Sequence, residues 1–235
     1  MTAIIFDVDD TLYDQLKPFQ QAYEKNFDFK LPLEVLFKFS RSYSDQVFDQ
    51  VEHGKLSLLD MQIYRITKAL ERFNIKITSQ QAENFQHDYH YYQGQIELLP
   101  EMKEALDLCQ RHQFQIGIIT NGPAAHQRRK IELLNLFNWI AEENIFISSE
   151  FGFAKPDSRL FQLAEEKMSL KKPTTYYVGD SFNNDVLGAK RVGWQSIWIN
   201  HRNHAPTNPM ILSDFIVDSQ LSLKKVLTSL ILQGF

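Results

Sequence analysis

The sequence predicts an α/β fold: a Rossmann-like parallel sheet core flanked by helices, with an all-helical domain inserted into it. Three observations predict it. Short runs rich in Ile and Val recur along the chain. Helical patterns alternate with them from Gln115 onward. A long stretch of helical periodicity separates the first run from the second. Continuous apolar runs mark strands covered on both faces, and strand–helix alternation implies parallel pairing.

The strands expected in order are Ala3–Phe6, Gln115–Ile119, Ile145–Ile147, Thr175–Val178 and Ser196–Ile199, with a weaker sixth at Phe215–Val217. Helices are expected at Glu101–Arg111, Ala124–Ile140, Ser158–Met168 and Asp185–Val192. The insert has Leu33, Leu36 and Phe37, then Leu56, Leu59, Ile63, Ile66 and Leu70, at spacings that fill one helical face. Gly94 and Pro100 punctuate the return to the sheet. The expected division is a core of residues 1–14 and 96–235 around a helical domain of residues 15–95.

Composition narrows the function. The chain has 235 residues, 43% hydrophobic and 23% charged, with a net charge of −4. That balance offers no cationic surface for a nucleic-acid polymer or an anionic membrane. No run is long enough to span a bilayer, and Met1–Phe6 is too short for a secretory leader. Cys109 is the single cysteine, so no internal disulfide forms, and it reads as a small buried apolar residue. The expectation is a cytoplasmic protein, monomer or homodimer, whose partner is a small molecule.

In an open parallel sheet, ligands bind beyond the carboxyl ends of the strands. The first strand ends in Asp7-Val8-Asp9-Asp10-Thr11, the second in Thr120-Asn121-Gly122 and the fourth in Gly179-Asp180-Ser181, with Asp185 shortly after; Lys155-Pro156-Asp157 follows the third. Asp7, Asp9, Asp180 and Asp185 would converge, and like charges so gathered persist when a cation joins them. Oxygen ligands alone suit a hard ion such as Mg²⁺. Asp7 and Asp9, two apart, would face one side, so that one carboxylate attacks phosphorus while the other moves a proton. Thr120 and the backbone N–H groups of Asn121 and Gly122 would hold phosphate oxygens, with Lys155 offsetting charge.

The motifs FDVDDTLYD, IITNG, KPD and YVGDSFNND, in this order over essentially the whole chain, resemble those of the haloacid dehalogenase superfamily, most of whose members are phosphatases. The resemblance implies Asp7 as nucleophile, and Asp9 as general acid and then base. It implies Mg²⁺ held by Asp7, the Asp9 carbonyl and Asp180, with Asp185 orienting that site. Thr120 and Asn121 would bind phosphate, and Lys155 would steady the nucleophile. The helical insert looks like the family's cap over small substrates. Dehalogenase members lack an aspartate at the Asp9 position, so Asp9 implies a phosphoester. Phosphonate-cleaving members also depart at the first motif and use a cap lysine. Mutases with this cap share Asp7 and Asp9 but usually carry a branched apolar residue where this chain has Thr11. Gln127 and Lys130 after the TNG turn, and Trp198–Asn200, look most like the nucleotidase and sugar-acid phosphatase branch. The alternatives are a phosphomutase, or a silent relative that binds a phosphorylated ligand.

Other candidates carry competing readings. Arg65, on a predicted helix Leu58–Phe73, is carried as a substrate contact against a solvated helix face. Arg41, His53 and Lys55 read as surface residues. Tyr89, Tyr91 and Tyr92 read as core of the helical domain rather than a stacking platform. Gln127–Lys130 reads as a solvated basic face. His201 and His204 read as a surface loop, and Asp157 as a helix cap.

Overall fold

The structure is a computed structural model and describes residues 1–52 and 54–232; His53 lies outside the described residues. The chain divides into two compact units, Met1–Asp14 with Glu97–Phe235, and Gln15–Ile96.

The first unit is built on β1 (Ala3–Phe6), β2 (Gln115–Thr120), β3 (Ile145–Ile147), β4 (Thr175–Gly179), β5 (Gln195–Ile199) and β6 (Phe215–Val217). They form one sheet in the order β3-β2-β1-β4-β5-β6, every neighbouring pair parallel. All four residues of β1 are buried, as helices on both faces require. Strand order reverses between β1 and β4, which makes their carboxyl ends the topological switch point where ligands bind.

In the second unit, α1 (Leu16–Asn26), α2 (Leu33–Glu52), α3 (Leu58–Glu71) and α4 (Ser79–Gln93) form the helical insert. Local signals start two of these helices. Ser57 caps α3 by accepting from the Asp60 amide, and Thr78 and Gln81 form a reciprocal capping box at α4. Its core joins Phe19, Tyr23, Leu36, Ile66, Leu70, Phe85 and Tyr89, and Phe19 meets Phe37, Phe85 and Tyr89 edge-on. Tyr91 departs from expectation and is 56% exposed, while Tyr92 packs partly against this core. Arg41 and Lys55 are exposed.

The remaining helices of the first unit are α5 (Pro100–Arg111), α6 (Ala124–Leu133), α7 (Ser148–Phe151), α8 (Ser158–Lys167), α9 (Leu187–Val192) and α10 (Leu223–Leu232). The helix expected over Ala124–Ile140 stops at Leu133, because Asn135 takes a left-handed φ of 53° and a single 3₁₀ turn follows. The helix expected from Asp185 begins one turn earlier, as a π-turn over Phe182–Val186. Asp157 caps α8 by accepting from the Arg159 amide. No helix among the described residues is long and apolar enough to cross a membrane.

Cys109 is fully buried on α5, and burial pushes its thiol up to about 12. Only the thiolate is nucleophilic, so Cys109 should resist an aromatic disulfide reagent at pH 8 in the native protein. One thiol should react promptly after denaturation; prompt reaction of the native protein would contradict this packing.

Candidate active site

The first strand ends in a tight loop. The Asp7 amide donates to the Val178 carbonyl at 2.9 Å, extending the pairing with β4, and the Leu12 amide returns to the Val8 carbonyl at 3.0 Å. Asp10 sits at a φ of 57°, a left-handed conformation that Asp tolerates through its short polar side chain. Arg202, after β5, donates to both Asp10 carboxylate oxygens, at 2.7 and 3.1 Å, and to Asp14 at 3.1 Å. The loop bearing Asp7 and Asp9 is thereby tied to the next strand end but one.

Lys155 is the centre of the site. Its ammonium is buried and donates to Asp7 Oδ1 at 2.7 Å, Asp185 Oδ1 at 2.7 Å and the Tyr177 hydroxyl at 2.8 Å. Burial alone would lower its pKa, but Asp185 and Asp7 outweigh that and hold it well above the usual value. Tyr177 in turn donates to the Ile119 carbonyl at 2.6 Å. Asn121 fixes the lysine backbone: its side-chain amide donates to the Lys155 carbonyl at 3.0 Å and its oxygen accepts the Lys155 amide at 2.8 Å.

Three carboxylates meet there. One oxygen from each of Asp7, Asp180 and Asp185 lies within 4.8 Å of the others. Gly179 makes this possible, since a Cβ at that position would stand 2.3 Å from an Asp185 oxygen. That same oxygen, Asp185 Oδ2, accepts the Ser181 amide at 2.9 Å, which leaves Oδ1 to Lys155. The cost of gathering these charges is visible in their acidity. Burial, with Asp185, Asp7 and Asp10, raises the Asp180 carboxyl to about 9 against the pull of Lys155. Burial raises Asp7 to about 7, Lys155 opposing and Asp185 and Asp9 assisting. One lysine does not balance three acids, and an all-oxygen set of this kind fits Mg²⁺.

Asp9, expected in the same acidic cluster, turns its carboxylate elsewhere. Lys130 donates to both its oxygens, at 2.6 and 2.8 Å, Gln127 to one at 3.0 Å and Tyr13 to the other at 2.5 Å. Burial would raise the Asp9 carboxyl, but Lys130 and then Tyr13 and Gln127 bring it down to about 2. The reading of Gln127–Lys130 as a solvated face is therefore corrected. Gln127 and Lys130, three apart on α6, are buried toward Asp9, whereas Arg129 is exposed and Arg128 pairs with Glu150. Helical phase, rather than the charge of the run, was the signal.

The TNG turn is internally engaged. Thr120 is fully buried and its hydroxyl oxygen accepts from Gln127 at 2.6 Å. The Gly122 amide, expected to face phosphate, donates to Ser148 Oγ at 3.0 Å. Gly122 has a φ of +142°, which side chains other than glycine rarely adopt. Tyr177, Ser148, Tyr13 and Arg202 were not singled out from the sequence; β4 carries three hydroxyls, on Thr175, Tyr176 and Tyr177, and nothing in the run set Tyr177 apart. Beside Asp180, a cavity of about 300 Å³ is lined by Asp10, Tyr13, Leu99, His201, Arg202 and His204 among others. The two histidines thus border the site, and His201 pairs with Glu101 at 3.1 Å. Arg65 lies in the helical unit, half-buried rather than solvated; it donates to Gln86 at 3.1 Å and stacks over Tyr89 at 5.5 Å.

Known proteins resemble this chain along most of its length. A glyceraldehyde 3-phosphate phosphatase of Methanothermobacter thermautotrophicus is 24% identical over 97% of this chain and 100% of its own. A pyrimidine 5′-nucleotidase of Escherichia coli is 26% identical over 86% of this chain and 88% of its own. Among solved structures, the putative hydrolase YfnB of Bacillus subtilis, crystallised bound to magnesium, superposes with a TM-score of 0.67 at 20% identity, covering 100% of this chain and 99% of its own. The L-2-haloacid dehalogenase of Xanthobacter autotrophicus gives 0.65 at 14% identity, with coverage of 100% and 99%. Residues 1–193 match the model of the haloacid dehalogenase-like hydrolases, and the chain belongs to that family.

Proposed function

We propose that the protein is a Mg²⁺-dependent phosphatase that hydrolyses a small phosphorylated metabolite, a nucleoside monophosphate or a sugar phosphate, through an aspartyl-phosphate on Asp7. The observation that carries this reading is the pairing of two aspartates, two residues apart, in unlike surroundings: Asp7 on buried Lys155 beside two further carboxylates, and Asp9 on Lys130. Separated environments are how one site assigns two carboxylates different work.

The Asp7 carboxylate attacks phosphorus and displaces the leaving oxygen; Asp9, ionised beside Lys130, takes up the proton that the substrate's phosphate monoanion brings and delivers it to that oxygen. Asp9 then takes a proton from water, whose oxygen attacks the aspartyl-phosphate and frees inorganic phosphate and Asp7. Lys155 holds the nucleophile in line and offsets phosphoryl charge. The turn Thr120–Gly122 is assigned to the phosphate oxygens through the Thr120 hydroxyl and the Asn121 backbone amide, the Gly122 amide being engaged by Ser148, and the Asn121 side chain places the turn against Lys155. Mg²⁺, held by Asp7, Asp180 and the Asp9 carbonyl with Asp185 orienting them, would supply positive charge to the transferring group. In the helical unit Arg65, which no carboxylate pairs with among the described residues, is the proposed substrate contact. The relatives' named substrates, a triose phosphate and pyrimidine nucleotides, support a small phosphoester. Asp9 favours a phosphoester over the halide of the dehalogenases that share the fold.

Phosphate release from a panel of sugar phosphates and nucleoside monophosphates tests this directly. Wild type with Mg²⁺ should turn over one group of substrates, EDTA should stop it, and Asp7→Asn should be inactive with an unchanged circular dichroism spectrum. Normal rates in the purified Asp7→Asn variant would exclude Asp7 as nucleophile.

The acid cluster gives a second expectation. A carboxyl raised from 3.8 to about 9 on folding favours the folded state only while protonated. Metal-free protein should therefore lose stability as pH rises from about 4 toward 9. At pH 7.5, Asp180→Asn should melt higher than wild type without metal. Mg²⁺ at ~100 times its dissociation constant should add ~2.7 kcal/mol to wild type and far less to the variant. Equal Mg²⁺ stabilisation of both proteins would remove Asp180 from the metal site.

A further inference from the structure

We infer that Lys130, with Gln127, is a positioning residue that holds the Asp9 carboxylate on the path of the leaving-group proton. The inference rests on the phosphatase reading above and adds a residue to it.

The geometry is specific. Lys130 is 7% exposed, and its ammonium bonds both oxygens of Asp9 at 2.6 and 2.8 Å. A buried lysine is costly unless paired and hydrogen-bonded, and Asp9 is the carboxylate that pairs with it. Gln127, one turn earlier on the same helix face, is fully buried. Its amide nitrogen reaches Asp9 Oδ2 at 3.0 Å, Thr120 Oγ1 at 2.6 Å and the Asn121 carbonyl at 2.9 Å. One side chain therefore spans the loop after β1 and the turn after β2. Tyr13 completes the hold from within the first loop. A carboxylate contacted by donors on both oxygens from two directions is fixed in rotation as well as position. Lys130 does not belong to the acidic cluster around Lys155, and its bonds go to Asp9, so its effect reaches the chemistry through that carboxylate, whereas Gln127 also holds the turn after β2.

Proton delivery matters only when the departing oxygen needs it. An alkoxide leaves poorly without a proton, whereas p-nitrophenolate leaves readily as an anion. A residue that aligns Asp9 for this transfer must therefore act selectively on alkyl phosphates. A residue that merely supports the fold slows both substrate types alike.

The test compares wild type, Asp9→Asn, Lys130→Met, Lys130→Arg and the exposed control Arg129→Met. Substrates are p-nitrophenyl phosphate and the alkyl phosphate of the panel that wild type turns over fastest. Circular dichroism and melting temperature establish that each variant is folded. General acid–base catalysis contributes ~10²- to 10⁴-fold, and Asp9→Asn should forfeit most of it on the alkyl substrate. Lys130→Met should lose ~10-fold or more in kcat on the alkyl phosphate, less than ~3-fold on p-nitrophenyl phosphate, with KM nearly constant on both, as partial loss of that same contribution. Lys130→Arg should recover part of the loss, and Arg129→Met should match wild type. Equal losses on both substrates, no loss on the alkyl phosphate, or a rise in KM alone would overturn the assignment of Lys130. Should Asp9→Asn show the selective loss while Lys130→Met does not, the inference fails and the phosphatase reading stands. No turnover by wild type on any substrate would overturn both.

Discussion

A single buried ammonium, that of Lys155, makes the arrangement of the site possible. Two carboxylates approach it at 2.7 Å from different strand ends, Asp7 from β1 and Asp185 from beyond β4. Without it their mutual repulsion, in surroundings that exclude water, would drive the strand ends apart. The lysine has to be placed as firmly as its partners, and the chain does so twice. Asn121 grips its backbone, and Tyr177 meets its head group from inside the sheet. The second and fourth strands thus position a residue that belongs to neither.

The same requirement explains the local shape of the fourth motif. Asp185 must reach back past the end of β4 to touch Lys155, and the space it occupies is the one a side chain at position 179 would fill. The π-turn over Phe182–Val186 widens the helix start so that Asp185 can accept both the lysine and the Ser181 amide. Wider turns of this kind are uncommon and concentrate at functional sites. Here the cause is the position of one carboxylate.

What was legible in the sequence follows from which physical signals are local. Strands covered on both faces must be apolar throughout, so Ala3–Phe6 and Ile145–Ile147 were readable to the residue, and Phe215–Val217 was readable from its apolar run although Ile216 is exposed at the sheet edge. Acids at strand ends were readable because the topology leaves them nowhere else to point. Pairing across the chain was not readable. Arg202 meets Asp10 from 192 positions away, and nothing near either residue announces it. Tyr177 was hidden because a tyrosine in a buried strand is ordinary. The run Gln127–Lys130 failed for a different reason: its composition is that of a solvated face, and only helical phase separates the two residues that turn inward from the two that do not.

The fold leaves the choice of reaction open. Structures named as dehalogenases superpose on this chain over nearly its full length, so the sheet, the switch point and the insert are common to enzymes that break carbon–halogen bonds. What differs is local and chemical. Halide departs as a stable anion, and a site for it has no use for a second carboxylate beside the nucleophile. This chain places Asp9 two residues from Asp7, the proposed nucleophile, and commits a buried lysine, a buried glutamine and a tyrosine to hold it. Desolvating an ammonium and an amide is unfavourable unless they are paired and hydrogen-bonded, and it is Asp9 that supplies the pairing. That commitment, rather than the architecture, is the physical argument for an oxygen leaving group.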